Sequence, residues 1–313
     1  MKNEKFHLQC KISMICYGQQ MIIGVKRAMA WVLILISSGT GLVEGVLIKK
    51  YNAKHQKGGF IFTALVSLFS MLFFVLTDRG GFYFPLGIFP YSLIAGVMFC
   101  MASFLTYVAL GCGSFTVSML ILSYSNVFSV VYGLVFLKEK ASAFMYIGLA
   151  LIMISLFLTR GEYKEGEDKK VSVKWLICIL LSFVGNGMFG VLMRMQQIAF
   201  ANTCTNEFMI ITLGFSALVL LVIGIIKNGR ELSYILRHGT LYAVASGVSN
   251  GATNMMGLAI NMMMAISISS PIRAGVKIIF SFVLSKVIFK EKFLVRKLIG
   301  VAIGGVALVL LNL

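Results

Sequence analysis

The sequence predicts an all-α integral membrane protein with ten transmembrane helices arranged as two inverted five-helix repeats. Three observations carry this prediction. First, 59% of the 313 residues are hydrophobic and only 12% are charged, with a mean hydropathy of +0.93. A soluble chain carries about a quarter charged residues, so this surface is one wetted by lipid, and a cytosolic enzyme is excluded. Second, ten apolar stretches approach the roughly 20 residues needed to cross about 30 Å of hydrocarbon. Third, short motifs recur in the same order in the two halves of the chain.

The elements follow in order. Residues 1–27 read as an N-terminal tail, whose apolar run from Ile12 to Val25 is broken at Gly18-Gln19-Gln20 and is too short to span. The run beginning at Met29 continues into a polar loop without a small-residue cleavage pattern, so the first long helix is expected to stay in the mature protein. The first repeat, 28–160, holds predicted spans at 28–48, 60–77, 86–109, 113–137 and 142–159. A hydrophilic linker at 161–172 follows. The second repeat, 173–313, holds predicted spans at 173–193, 204–226, 236–258, 262–288 and 294–312. The breaks carry loop punctuation such as Lys49-Lys50-Tyr51-Asn52, Asp78-Arg79-Gly80-Gly81 and Lys227-Asn228-Gly229-Arg230.

Four matches relate the halves. Lys138-Glu139-Lys140 returns as Lys290-Glu291-Lys292 and Ile147-Gly148 as Ile299-Gly300, both at an offset of 152. The run Tyr91 to Val97 returns as Tyr242 to Val248 at 151, and Trp31 as Trp175 at 144. Because five crossings is an odd number, the second half sits upside down relative to the first.

Two five-helix halves, each with a fourth helix, a Lys-Glu-Lys loop and a glycine-bearing fifth helix, resemble the drug/metabolite transporter superfamily in its ten-helix EamA-like branch. The likeness covers about 28–160 and 172–313. It implies a secondary transporter, not an enzyme, that moves a small organic metabolite across the cell membrane by alternating access, the solute being an amino acid, an organic anion or a drug-like molecule. A flippase or transporter of a lipid-linked or nucleotide-linked sugar, or a channel-like membrane protein, stays open beside it. One departure stands out. The family often has a proline midway along the fourth helix of each half, where Asn126 and Ile278 stand here, while Pro271 offers a different break in the ninth.

Lys and Arg number 28 against 11 Asp and Glu. Nine fall on the loop side holding the amino terminus, seventeen on the other side, and two inside the ninth helix. The positive-inside rule then puts both termini outside. The loop positions fit a lipid bilayer as partner rather than nucleic acid, because no run interleaves aromatic and basic residues.

The two intramembrane cations are Arg273 and Lys277, one helical turn apart, with Ser281 continuing their face. Such charges cost about 2.5–3.5 kcal/mol each on insertion scales. They form a candidate patch for a carboxylate or phosphate of a small-molecule substrate, or else a structural pairing. The offset of 152 makes Ser125 the counterpart of Lys277 and Ser129 that of Ser281, so helices four and nine would present matching polar stripes. Asn126, Asn186, Asn250 and Asn254 add neutral polar groups, available equally for solute or for interhelical hydrogen bonds. Glu44 is the only acidic residue well inside a span. A carboxylate at that depth can exchange a proton at physiological pH, which makes it the candidate for proton coupling, against an interfacial pairing with a nearby lysine. The resemblance adds that smaller four-helix relatives carry a glutamate in their first helix. Gly300 and Gly304 make a small-xxx-small pattern suited to internal packing or to a homodimer face.

No cofactor, metal site or catalytic constellation is expected. The P-loop signature is missing, His7, His55 and His238 are scattered, and the six cysteines show no C-x-x-C spacing.

Overall fold

The computed structural model describes residues 2–55, 57–78, 80–113, 115–139 and 173–289, with helical pieces inside 143–154 and 299–310; the side chains of 2–27, 116, 228, 285 and 289 fall outside that description. The linker 161–172, most of the predicted fifth and tenth spans, Glu291 and Gly304 lie outside the described residues as well.

Among the described residues every regular element is helical. The helices are α1 (Lys2–His55), α2 (Gly59–Thr77), α3 (Ile88–Cys112), α4 (Phe115–Ser123), α5 (Asn126–Val131), α6 (Val173–Ala199), α7 (Thr205–Asn228), α8 (Leu232–His238), α9 (Thr240–Met263) and α10 (Ile266–Leu284). Among the described residues six stretches are long and apolar enough to cross a bilayer: Ala28–His55, Gly59–Thr77, Ile88–Cys112, Val117–Phe136, Val173–Ala199 and Thr205–Lys227. The chain is an all-α membrane protein.

Its side chains are distributed to suit a lipid solvent. Leu35, Ile36, Ile94, Leu180 and Val222 point outward and are about half exposed, while Ser67, Ser70, Ser92, Ser182, Thr212 and Ser216 are fully buried. Hydrocarbon offers no hydrogen bonds, so polar groups turn toward protein and apolar ones toward lipid. Two apolar clusters bracket the polar interior. One, built around Leu42, Tyr51, Phe62, Tyr107 and Phe115, lies toward the end where α1 meets α2. The other, around Phe74, Phe99, Phe189, Phe208 and Leu213, lies toward the end where α2 meets α3.

Several boundaries differ from the sequence expectation. Helix α1 runs to His55, past the predicted end at 48, so Lys49-Lys50-Tyr51-Asn52 is helical and not a loop. Helix α6 continues to Ala199 and α9 to Met263, past the predicted ends at 193 and 258, so Arg194 and Asn261 lie within helices and not in loops. The predicted eighth span also begins later, since α8 stops at His238 and α9 starts at Thr240. The predicted fourth span is broken between α4 and α5 and ends in a π-helical turn over Tyr132–Phe136. The break has no proline. Here the backbone shifts to i−3 hydrogen bonds, with Tyr124 N donating to Ile121 O and Ser125 N to Leu122 O. Side chains bond carbonyls along the same stretch, Leu122 O being shared with the main chain: Ser123 Oγ donates to Met119 O at 2.8 Å, Ser125 Oγ to Leu122 O at 2.7 Å, and Asn126 Nδ2 to Ser123 O at 3.0 Å.

The Tyr51 and Phe62 rings stack with centroids 4.0 Å apart, both fully buried. Phe62→Ala therefore leaves a void costing about 3 kcal/mol, and should lower the unfolding midpoint of the purified protein by several degrees. Ile94→Ala on the lipid-facing side should shift it far less in the same thermal scan.

Candidate functional site

Between the two apolar clusters lies a cavity of about 200 Å³. Helix α1 contributes Gly41 and Glu44; α9 contributes Asn250, Thr253, Asn254 and Asn261; α10 contributes Arg273 and Lys277; the α4/α5 break contributes Ser125 and Asn126; and α6 contributes Asn186. The structure thus brings Glu44 and seven sequence-predicted residues to one space: Arg273, Lys277, Ser125, Asn126, Asn186, Asn250 and Asn254. Two others stand apart from it. Ser281 is buried and donates to Ile278 O at 2.8 Å, and Ser129 is buried with its Oγ against Gly190.

The acidic wall is a network. Asn250 Nδ2 donates to both Glu44 carboxylate oxygens, at 3.0 and 3.1 Å. Asn250 Oδ1 in turn accepts from Ser70 Oγ and from Asn254 Nδ2, each at 2.9 Å. One amide therefore ties α1, α2 and α9 together. Close by, Thr40 Oγ1 and Thr253 Oγ1 share a hydrogen bond of 2.8 Å between α1 and α9.

The two cations have different surroundings. The Lys277 side chain runs against Gly41, its Nζ 3.4 Å from where a Cβ on that glycine would stand. That is one turn of α1 from Glu44. Arg273 passes Gly257, where a Cβ would come within 3.0 Å of Nη1. Its Nε is buried with no hydrogen-bond partner among the described residues, and no carboxylate there partners it. Lys277 thus lies near the acid of α1, while Arg273 keeps at least one buried donor without a partner among the described residues.

The neutral polar residues serve mainly to hold helices. Asn186 Nδ2 donates to Ser182 O at 3.0 Å, and Ser182 Oγ bonds Thr106 Oγ1 across to α3 at 2.6 Å. Asn126 and Ser125 are engaged with their own helix, as described above.

Sequence reasoning missed Arg194 and Asn261. Arg194 Nη1 donates to the Asn261 carbonyl at 2.8 Å, while Arg194 Nε and Asn261 Oδ1 are buried without partners among the described residues. Their polarity made them look like loop residues. A helical register carried one turn beyond the hydropathy boundary would have placed them on the inner face.

No family model and no curated protein matches the chain. Among solved structures, 28 chains match. One, a crystal structure described only as that of a protein, superposes with a TM-score of 0.62 at 15% identity, covering 90% of this chain and 98% of the other. At that identity the likeness shows the fold alone.

Asn250→Ala should strand the Glu44 carboxylate and the Ser70 hydroxyl, costing about 1–3 kcal/mol. Combined with Glu44→Gln, the loss should be smaller than the sum of the single losses, with a coupling of about 0.5–3 kcal/mol in unfolding measurements. Strict additivity would mean that the contact carries no weight.

Proposed function

We propose that this chain is a secondary transporter for a small organic anion or zwitterion, of the drug/metabolite transporter type with ten helices in two inverted repeats, working by alternating access in the cell membrane with both termini outside. The observation that carries the reading is a cavity inside a lipid-facing bundle, lined by Glu44, Lys277, several amides and the Arg273 guanidinium, whose buried Nε has no hydrogen-bond partner among the described residues. A buried cation without a partner is expensive, and a solute carboxylate or phosphate removes that cost when it binds. Donors left free in the empty state are available to such a group.

The inter-helix packing supports two related halves. Besides α2 with α7, α3 packs on α6, α1 on α9, and α10 on α4 and α5. Exchanging the halves turns the α1–α9 pair into the α6–α3 pair and leaves the α2–α7 pair and the packing of α10 on the fourth span unchanged, as a pseudo-two-fold axis requires. Ser67 Oγ and Ser216 Oγ lie 3.5 Å apart and 149 residues apart in the chain, an offset between the 144 and 151 of the sequence matches. A residue touching its own counterpart sits beside such an axis.

Size favours a compact solute. Drug-sized ligands occupy pockets of about 300–1,000 Å³, and a cavity of about 200 Å³ suits a small metabolite better than a lipid-linked or nucleotide-linked sugar. Glu44, facing Lys277 across the same space, is the proposed proton-coupling group. Its protonation would free Lys277 for the solute and tie the two charges into one cycle.

The test is counterflow into proteoliposomes with a panel of organic acids and amino acids, preceded by a thermal-shift screen in which a solute that binds the folded protein raises its midpoint. For any solute transported, Arg273→Gln should raise the apparent KM by roughly tenfold or more, the worth of one charged hydrogen bond of about 1.5–3 kcal/mol. Undiminished anion transport by that variant would sink the assignment of Arg273.

A further inference from the structure

The Lys138-Glu139-Lys140 loop does more than mark a repeat. Glu139 Oε2 accepts from the Ser267 amide at 2.9 Å and Oε1 from the Ile266 amide at 3.3 Å. These are amides at the start of α10, the helix that carries Arg273 and Lys277. A carboxylate on the free N–H groups of a helix N-terminus is a favourable contact both by charge and by hydrogen bonding. It comes from the other half of the chain, more than 120 residues away.

The loop is shaped to deliver it. Lys138 adopts a left-handed φ of 50°, and Glu139 N donates back to Gly133 O at 3.1 Å. A Cβ on Gly133 would stand 2.7 Å from Glu139 Oε2 and 2.9 Å from Ile266 Cγ2, so a side chain there would push the carboxylate off its seat.

The turn of α10 that Glu139 holds is set off from the rest of the helix. Pro271 has no N–H to give to Ser267 O, which removes one of the bonds joining the first turn to the stretch bearing the cations. The hydroxyls of Ser267, Ser269 and Ser270 are all fully buried and have no partners among the described residues. They add little to fixing that turn in place.

We propose that Glu139 is the clasp of a gate at this end of the cavity. In the state seen here it pins the first turn of α10 against the end of the fourth helix. Opening toward this end releases that turn to swing about Pro271, with water taking over both the carboxylate and the two amides. This rests on the alternating-access reading above, but the gate can be observed without any transported solute.

The test reads access to the cavity. Two reporter cysteines, Met193→Cys and Ile48→Cys, are placed one at a time in full-length protein whose own six cysteines are replaced by serine. Both positions line the cavity. Met193 adjoins Arg194, which binds the end of α9 just before α10, whereas Ile48 lies near the far end of α1 in the opposite apolar cluster. The protein, in nanodiscs, is exposed to a polar fluorescent maleimide. Glu139→Ala should speed labelling at position 193 roughly tenfold while changing position 48 by less than about twofold, the scale set by losing a charge-assisted hydrogen bond. Gly133→Ala should act in the same direction, and Glu139→Asp should restore slow labelling.

If Glu139→Ala does not yield monodisperse protein, Glu139→Gln is read instead; it keeps an acceptor but loses the charge and should fall between. Unchanged labelling at 193 in the folded variants, or equal acceleration at both reporters, would overturn the clasp. Either result leaves the transporter assignment standing, because that is judged by counterflow. A failed counterflow screen likewise leaves the labelling result intact.

Discussion

A polar side chain at bilayer depth has no water to turn to, and the arrangement of this bundle follows from that constraint. Many buried serines and asparagines find either the carbonyl of their own preceding turn or a partner on a neighbouring helix, while Ser246, Ser267, Ser269 and Ser270 have no partner among the described residues. The most connected case is Asn250. Its amide donates to Glu44 on α1 and accepts from Ser70 on α2 and from Asn254 one turn along α9. Three helices are fixed in register by one side chain, with the cavity opening beside it. The apolar clusters around Phe62 and around Phe208 close the space above and below without any directional bond.

The same constraint governs what could be read from the sequence. Six of the ten predicted spans were legible because hydrocarbon thickness demands about 20 apolar residues, and the six stretches able to cross among the described residues fall on them. The residues gathered at the cavity were legible because charge and amide groups are rare in such stretches. Helix ends were not, since hydropathy falls in the same way whether a polar residue enters a loop or turns toward the interior. Arg194 and Asn261 were misplaced for this reason, although each remains helical and the two meet. Glu139 was visible as a repeated motif, but its partner amides lie in the other half of the chain, and no local pattern announces a cap delivered from that far away.

The break in the fourth helix shows a second route to a result usually given by proline. Proline breaks a helix by lacking a donor. Here Ser123, Ser125 and Asn126 break it by supplying too many, each side chain taking a carbonyl one turn back and leaving the main chain to shorter i−3 bonds. The departure at Asn126 therefore does not remove the irregularity at that depth. It replaces a steric cause with a hydrogen-bonding one, and it leaves Ser125 and Asn126 at the cavity wall.

How a helix can carry two cations through such an interior is answered by what stands opposite each. Lys277 lies against Gly41 of α1 and Arg273 against Gly257 of α9, and a methyl group at either place would crowd the charged end. The glycines let the neighbouring backbones come close, so each long side chain is shielded from lipid along its length while its head reaches the cavity. From that common design the two diverge by one neighbour. Glu44 stands one turn beyond Gly41, whereas the stretch of α9 around Gly257 carries amides and no acid. The two residues thus differ although they sit on one helix face: Lys277 lies against α1 one turn from Glu44, and Arg273 has no acid beside it among the described residues of α9.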